Sequence, residues 1–494
     1  MRSVALSLVG GLLMVLGYPP FGWPPAAWLA AGVLLWSWLS ADTRLGALAA
    51  GYAGGVTFFG ALFWWLNNVE LIAYLPLVIV QAAFFVWIAW VAWRMRSAPP
   101  WAWVLAVTGA WALSEIVRDR APFGGFPWGV IGLTVDATPL RGSAQWIGAT
   151  GWSVLLVGFA ALVIMALQRR VGWWDPGLLA IVIVGVGVAG IAAPAAPDGE
   201  AVRIAVVQGN SPCPGSTCPN ERQIIFENHL GLTRAAIHPG TVDLVIWPES
   251  STGFSSDPLT NPVTAELISA EARRLGAYLL VGGDRAAGDD AFVNSNLVYG
   301  PTGTLIGEYR KTHPVPFGEY VPARPLFDWI PALDQVPRDM VRGPGAVTFD
   351  IAGVPLGSVI SYEGAFARYP REAVRSGAGL LVVATNEASF GDSPAADQFI
   401  GMSRIRASEL GIDVVHAAVT GKSAVLHANG QVDGPTGLFT AEVLTATVRV
   451  RDSGDTLYAR WGDWLQSLVA VVGLGVLVAP RLAVARPWAS AAAR

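Results

Sequence analysis

Long apolar runs separated by short polar links fill residues 1–197, a mixed polar and apolar stretch occupies 200–455, and 463–480 turns apolar again. A helix needs about 20 mostly apolar residues to cross a bilayer. The runs predict eight spans, near 3–19, 25–39, 46–65, 71–93, 101–117, 151–168, 176–194 and 463–480. The chain thus reads as a seven-helix membrane bundle (1–197), one folded domain (200–455) and an eighth transmembrane helix (463–480), with a proline-containing linker at 192–199 opening the domain. The first run is followed by Tyr18-Pro19-Pro20-Phe21 and at once by another run, which suits a retained span better than a cleaved signal peptide.

Inside 200–455 the period changes. Short runs rich in Val, Ile and Leu at 202–208, 242–247, 278–282, 297–299, 354–360, 380–385, 414–418 and 443–450 predict strands, and 222–237, 263–275 and 394–410 predict helices. Strands separated by helices of this length imply a layered α/β domain.

Composition agrees with the apolar runs: 53% of residues are hydrophobic and 14% charged, against about 25% charged in soluble domains. A net charge of −4 leaves no basic footprint for nucleic acid. The arginines of the short links carry more information. Alternate links hold Arg44, then Arg94 and Arg96, then Arg169 and Arg170, then Arg481, Arg486 and Arg494. The opposite links at 18–24 and 66–70 hold no Lys or Arg, and Arg118, Arg120 and Arg141 lie in a longer stretch. Positive links face the cytoplasm, so seven spans place 200–455 outside it, in a multi-pass protein of the cell membrane. Cys213 and Cys218, the only cysteines, sit in a short Pro- and Gly-containing loop and are disulfide candidates in an oxidising compartment. Their spacing does not suit a metal.

Three polar islands follow predicted strands: Trp247-Pro248-Glu249-Ser250, then Glu308 to Lys311 running into Pro316-Phe317-Gly318-Glu319, and Ser361-Tyr362-Glu363. An acid, a lysine and a hydroxyl residue at strand ends supply a base, an electrostatic stabiliser and a nucleophile, and α/β sheets bind ligands at their carboxyl ends. These segments resemble the three signature segments of apolipoprotein N-acyltransferases, a membrane-embedded branch of the nitrilase (carbon-nitrogen hydrolase) superfamily. The likeness extends to Gly17–Phe21, to Val207-Gln208-Gly209-Asn210 and to the stretch from Arg404 to Gly411.

That resemblance implies an αββα sandwich and a Glu-Lys-Cys triad needing no cofactor or metal. It implies a phospholipid acyl donor and, as acceptor, the α-amino group of the S-diacylglyceryl cysteine of a diacylated apolipoprotein. By position Glu249 is the base, Lys311 stabilises the oxyanion, and Glu319, Tyr362 and Glu363 support them. The nucleophile position holds Ser361 instead of cysteine. A hydroxyl is far less acidic than a thiol of pKa about 8.5, and a carboxylate is a weak base for it; no histidine is assigned to help. Three readings stay open: a transferase working through Ser361, a silent relative that binds lipid or lipoprotein, and an engineered serine standing in place of the cysteine. The loop around Cys213 and the segment Asn386-Glu387-Ala388-Ser389-Phe390-Gly391 also depart from the family pattern, which favours divergence over a single replaced residue.

Other signals are set aside. Thr420-Gly421-Lys422-Ser423 resembles the end of a P-loop, but the first glycine of that motif falls on His416. No Gly-x-Ser-x-Gly elbow surrounds Ser361. Arg118 and Arg120 suit an interface and lipid headgroups, and the aromatic stretch 123–128 suits an acyl-chain entrance.

Overall fold

The computed structural model describes residues 1–69, 71–192, 199–214, 218–327, 329–450 and 455–479. Most of the linker at 192–199, and Arg481, Arg486 and Arg494, lie outside the described residues. The chain forms two bodies, one of residues 1–64, 74–191 and 463–494 and one of 65–73 and 192–462.

The first body is helical: α1 (Arg2–Val15), α2 (Pro24–Leu39), α3 (Arg44–Leu62), α4 (Leu71–Arg94), α5 (Pro100–Arg118), α6 (Ala144–Leu167), α7 (Trp174–Ala192) and the helix Trp464–Val478. Five segments are long and apolar enough to cross a membrane: α3, α4, α5, the stretch Pro139–Leu167 and α7. The helices α1, α2 and Trp464–Val478 are apolar but shorter, at 14, 16 and 15 residues. The expected first span ends early because Gly17-Tyr18-Pro19-Pro20 turns the chain. Small residues let helices meet: a Cβ on Gly109 of α5 would lie 2.6 Å from the Cα of Gly473.

Several buried polar side chains of this body are bonded to one another. Glu115 accepts from Trp111 (3.0 Å), Ser153 (3.1 Å) and Gln466 (2.9 Å). Arg118 is buried and donates to Gln81 and to the carbonyl of Trp128, so it is an interior residue rather than a free headgroup ligand. The arginine-bearing links gather at one end. Arg170 donates to the carbonyls of Arg96 and Ala98, and the Trp93 indole donates to the carbonyl of Ala41, next to the Arg44 link.

The second body is a two-sheet sandwich. The first sheet contains β1 (Glu200–Gln208), β2 (Leu244–Thr252), β3 (Tyr278–Ala286), β4 (Ala291–Tyr299), β5 (Leu305–Arg310) and the short β6 (Asp339–Met340). The second contains β7 (Thr348–Ile351), β8 (Val354–Ile360), β9 (Leu380–Thr385), β10 (Asp413–Ala418), β11 (Ala424–Leu426) and β12 (Val432–Asp433); β13 (Glu442–Val450) returns to pair with β1. At the centre of each sheet three strands run parallel, β1-β2-β3 and β8-β9-β10.

Alternation along the strands explains the layers. Val202, Ile204, Val206, Leu244 and Ile246 meet Leu356, Ile360, Val382 and Val415 between the sheets. Their neighbours Ala205, Val207, Val245 and Trp247 face α8 (Glu221–Ala236) and α9 (Pro262–Leu275) through Phe226, Leu230 and Ile268. On the second sheet α10 (Arg368–Arg375) and α11 (Ala395–Leu410) bury Val374, Phe399 and Ile405. The result is an αββα sandwich. The expected strand at 297–299 is the end of the longer β4, whose Asn294-Ser295-Asn296 interrupts the apolar run while staying buried.

Candidate active site

The parallel strands end on one another's loops, and the polar islands meet there. In β2 the pairing with β3 shifts between Trp247 and Thr252, a bulge that re-aims the intervening side chains. Only glycine fits beside it, because a Cβ on Gly282 would lie 2.3 Å from the carbonyl oxygen of Pro248. Glu249 lies in this bulge and is 5% exposed. Its Oε1 accepts from Lys311 Nζ at 3.2 Å and Asn294 Nδ2 at 2.8 Å, and its Oε2 from the Asn386 amide at 3.1 Å.

Lys311 follows β5 and is 1% exposed. Its Nζ also reaches Glu319 Oε1 at 2.6 Å, while Glu319 Oε2 accepts from the Val315 amide at 2.7 Å. Burial works against the ammonium, but Glu249, Glu319 and Glu363 together hold its pKa above that of an ordinary lysine. Burial lifts the carboxyl of Glu319, as does the charge of Glu249, with Lys311 opposing. The ammonium is thus kept charged in a dry site, where it acts strongly on developing negative charge.

Ser361 is the first residue after β8 and has φ +50°, a conformation that non-glycine residues adopt only when their surroundings impose it. Glu363 imposes it. Fully buried, it accepts through Oε2 from the Ile360 amide (2.7 Å) and the Tyr309 hydroxyl (2.8 Å). Through Oε1 it accepts from the Thr312 amide (2.6 Å), the Thr312 hydroxyl (2.7 Å) and the His313 amide (3.0 Å). One carboxylate therefore ties the serine turn to the residues just after Lys311. Ile360, the last residue of β8, lies opposite Ala384 in the β8–β9 pair, and β9 leads through Thr385 to the Asn386 amide that serves Glu249.

The structure joins Glu249, Lys311 and Glu319 directly, and holds Ser361 and Tyr362 to them through Glu363. Asn294, Asn386 and His313 were not expected. His313 stands in sequence between Lys311 and the proline turn; its ring stacks on Tyr362 with centroids 5.4 Å apart. Burial, with Arg368, Arg342 and Lys311 nearby, pushes its pKa down to about 3, so it is a neutral packing partner at ordinary pH. Among the described residues no cluster of His, Cys, Asp and Glu is arranged to hold a metal. The P-loop-like residues are tied up, Lys422 by Asp397 (2.7 Å) and Ser423 by Gln208 (2.8 Å). Cys213 and Cys218 are bonded to each other, S–S 2.10 Å, in the loop between β1 and α8.

The family model for the apolipoprotein N-acyltransferase N-terminal domain matches residues 10–162, and that for carbon-nitrogen hydrolases matches 203–458. The apolipoprotein N-acyltransferase of Geobacter metallireducens is 29% identical over 508 residues, covering 97% of this chain and 95% of that protein. That of Methylococcus capsulatus is 31% identical over 481 residues, covering 94% and 93%. Among solved structures, a mutant amidase of the nitrilase superfamily from Nesterenkonia AN1 aligns at 20% identity with a TM-score of 0.40, covering 54% of this chain and 96% of that one.

Proposed function

This chain belongs to the apolipoprotein N-acyltransferase family, and on that premise we propose that it moves an acyl chain from a phospholipid to the α-amino group of a lipoprotein's N-terminal S-diacylglyceryl cysteine, through an ester on Ser361. The observation that carries the site assignment is the buried Glu249–Lys311–Glu319 set, tied to the Ser361 turn by Glu363.

The first half-reaction breaks the glycerol ester of the lipid. Ser361 Oγ attacks the acyl carbonyl carbon and its proton passes to Glu249. Lys311 Nζ offers its charge to the oxyanion. As the tetrahedral adduct collapses, Glu249 returns the proton to the glycerol oxygen and a lysophospholipid leaves. In the second half the acceptor amine attacks the ester carbonyl, Glu249 takes one amine proton, and Ser361 Oγ leaves with it as the hydroxyl. A carboxylate cannot hold an alkoxide-level proton in advance, so proton transfer accompanies bond formation. The scheme is slower than one through a thiolate, and the fixed Lys311 charge lowers the barrier of either by stabilising the oxyanion.

Eight spans and an extracytoplasmic sandwich complete the proposal. The gathering of the Arg44, Arg94 to Arg96 and Arg170 links at one end supports it. This reading counts the three shorter apolar helices, of 14, 16 and 15 residues, as spans beside the five longer ones. The direct test is to give the purified protein phospholipid vesicles and a peptide beginning with S-diacylglyceryl cysteine. Loss of the peptide's free α-amine with a gain of one acyl mass is expected. A folded protein that leaves the amine free with every phospholipid tried would reject the transferase reading.

A further inference from the structure

The segment 65–73, which holds the link from α3 and the first residues of α4, belongs to the same compact body as the sandwich. Its contact is specific. The ring of Trp65 packs edge-on against Phe390 with centroids 4.7 Å apart, and Asn68 Nδ2 donates to the Phe390 carbonyl at 2.7 Å. A Cβ on the next residue, Gly391, would strike the Asn68 side chain at 2.7 Å, so the two segments are in direct contact.

What Phe390 closes is the turn that serves Glu249. The Asn386 amide donates to Glu249 Oε2 at 3.1 Å. The Asn386 side chain in turn accepts from the Ala388 amide at 3.0 Å, and the Phe390 amide donates to the Glu387 carbonyl at 3.0 Å. Glu387, at the centre, has φ +62°, a costly conformation for a side chain of this size. Its buried carboxylate is pinned on the inside by His416 Nε2 at 2.8 Å. On the outside, the turn is fastened by Trp65 and Asn68. A strained turn released at one end relaxes, and the amide it presents to Glu249 moves with it.

We propose that Trp65 and Asn68 are positioning residues for the acyl-transfer reaction, acting on Glu249 through the turn 386–391. The assignment rests on the transferase reading above. It makes the segment between two apolar helices part of the catalytic apparatus without contact with the reacting atoms.

The experiment uses the full chain in lipid nanodiscs with Trp65→Ala, Trp65→Phe and Asn68→Asp. The aspartate matches asparagine in shape but cannot donate to the Phe390 carbonyl, and position 68 is exposed, so this variant is expected to fold. Hydrogen–deuterium exchange is read on peptides covering 386–391 and, as internal control, 380–385. Acyl-adduct formation is read by mass with dipalmitoyl phosphatidylethanolamine as donor. Loss of one well-placed hydrogen bond corresponds to about a tenfold effect. Trp65→Ala and Asn68→Asp should raise exchange over 386–391 by about that factor and leave 380–385 unchanged. They should slow adduct formation by a similar factor at an unchanged half-saturating lipid concentration, and Trp65→Phe should restore both. Unchanged exchange in both variants overturns the inference, as does faster exchange with an unaltered rate. Wild-type protein that forms no adduct rejects the transferase reading instead. The exchange data would then describe a fastening with no catalytic consequence, and the positioning assignment would go with it.

Discussion

Ser361 and the five donors on Glu363 show how a single residue is prepared for chemistry. The φ of +50° places the hydroxyl at the edge of a sharp turn after β8, and the turn is held by hydrogen bonds to a buried carboxylate rather than by glycine. If the remaining parts are in place, the one weak component is the acidity of the hydroxyl. Ser361→Cys should therefore raise the rate of acyl-enzyme formation by at least about tenfold, since a thiolate is accessible near neutral pH. Glu249→Gln in that background should abolish it. Stopped reactions analysed by mass give both rates, and an inert but folded cysteine variant would count against an intact pocket.

A second residue-scale prediction comes from His427, whose ring is bonded to Asp413 (2.9 Å) and Asp433 (3.0 Å). The hydrogen bond to Asp413 leads in lifting its pKa to about 9. The unfolded value is about 6.5. Its stabilisation is therefore complete below pH 6.5 and is lost as pH rises from 6.5 through 9. The melting temperature of the sandwich should fall over that window in the wild type, and the fall should be smaller in His427→Gln. Equal slopes would show that the ion pairs contribute nothing.

At the scale of elements, the islands around Glu249 and Ser361 were legible because each breaks off directly after an apolar run, and that around Lys311 because charged residues and a proline turn cluster there. The donors that complete them were not. Asn294 lies inside β4, where Asn294-Ser295-Asn296 hides a strand from its hydrophobic pattern; Asn294 serves Glu249, and Asn296 donates to Ser358 at 2.7 Å. Asn386 acts through its backbone amide, which no side-chain pattern reveals. The short β5, β6, β7, β11 and β12 escaped because sheet pairing, not alternation, makes them strands. The helix α10 escaped because its eight residues include Pro370 and four charged side chains. The loop between β1 and α8 carries its own test. Cys213 and Cys218 should both resist thiol labelling under denaturing conditions without reductant and both label after reduction. Quantitative labelling before reduction would contradict the bonded pair.

For the whole molecule, the question is which side of the membrane the sandwich occupies. Five helices are long and apolar enough to cross, and three shorter apolar ones accompany them; on the proposed eight-span reading, the chain ends on the side opposite the sandwich. Reporter fusions after residue 199 and after residue 490 should therefore report opposite compartments. The same compartment for both would remove the eight-span arrangement. An extracytoplasmic sandwich also accords with a bonded cysteine pair, which persists in oxidising compartments.

The central claim is that Glu249, Lys311 and Ser361 form one acyl-transfer centre. It is tested most directly by the mass of the peptide containing Ser361 after the full-length protein has been incubated with phosphatidylethanolamine vesicles. An added acyl mass on that peptide is expected in the wild type, absent in Glu249→Gln and larger in yield in Ser361→Cys. An unmodified peptide in folded wild-type and Ser361→Cys proteins alike would contradict the claim.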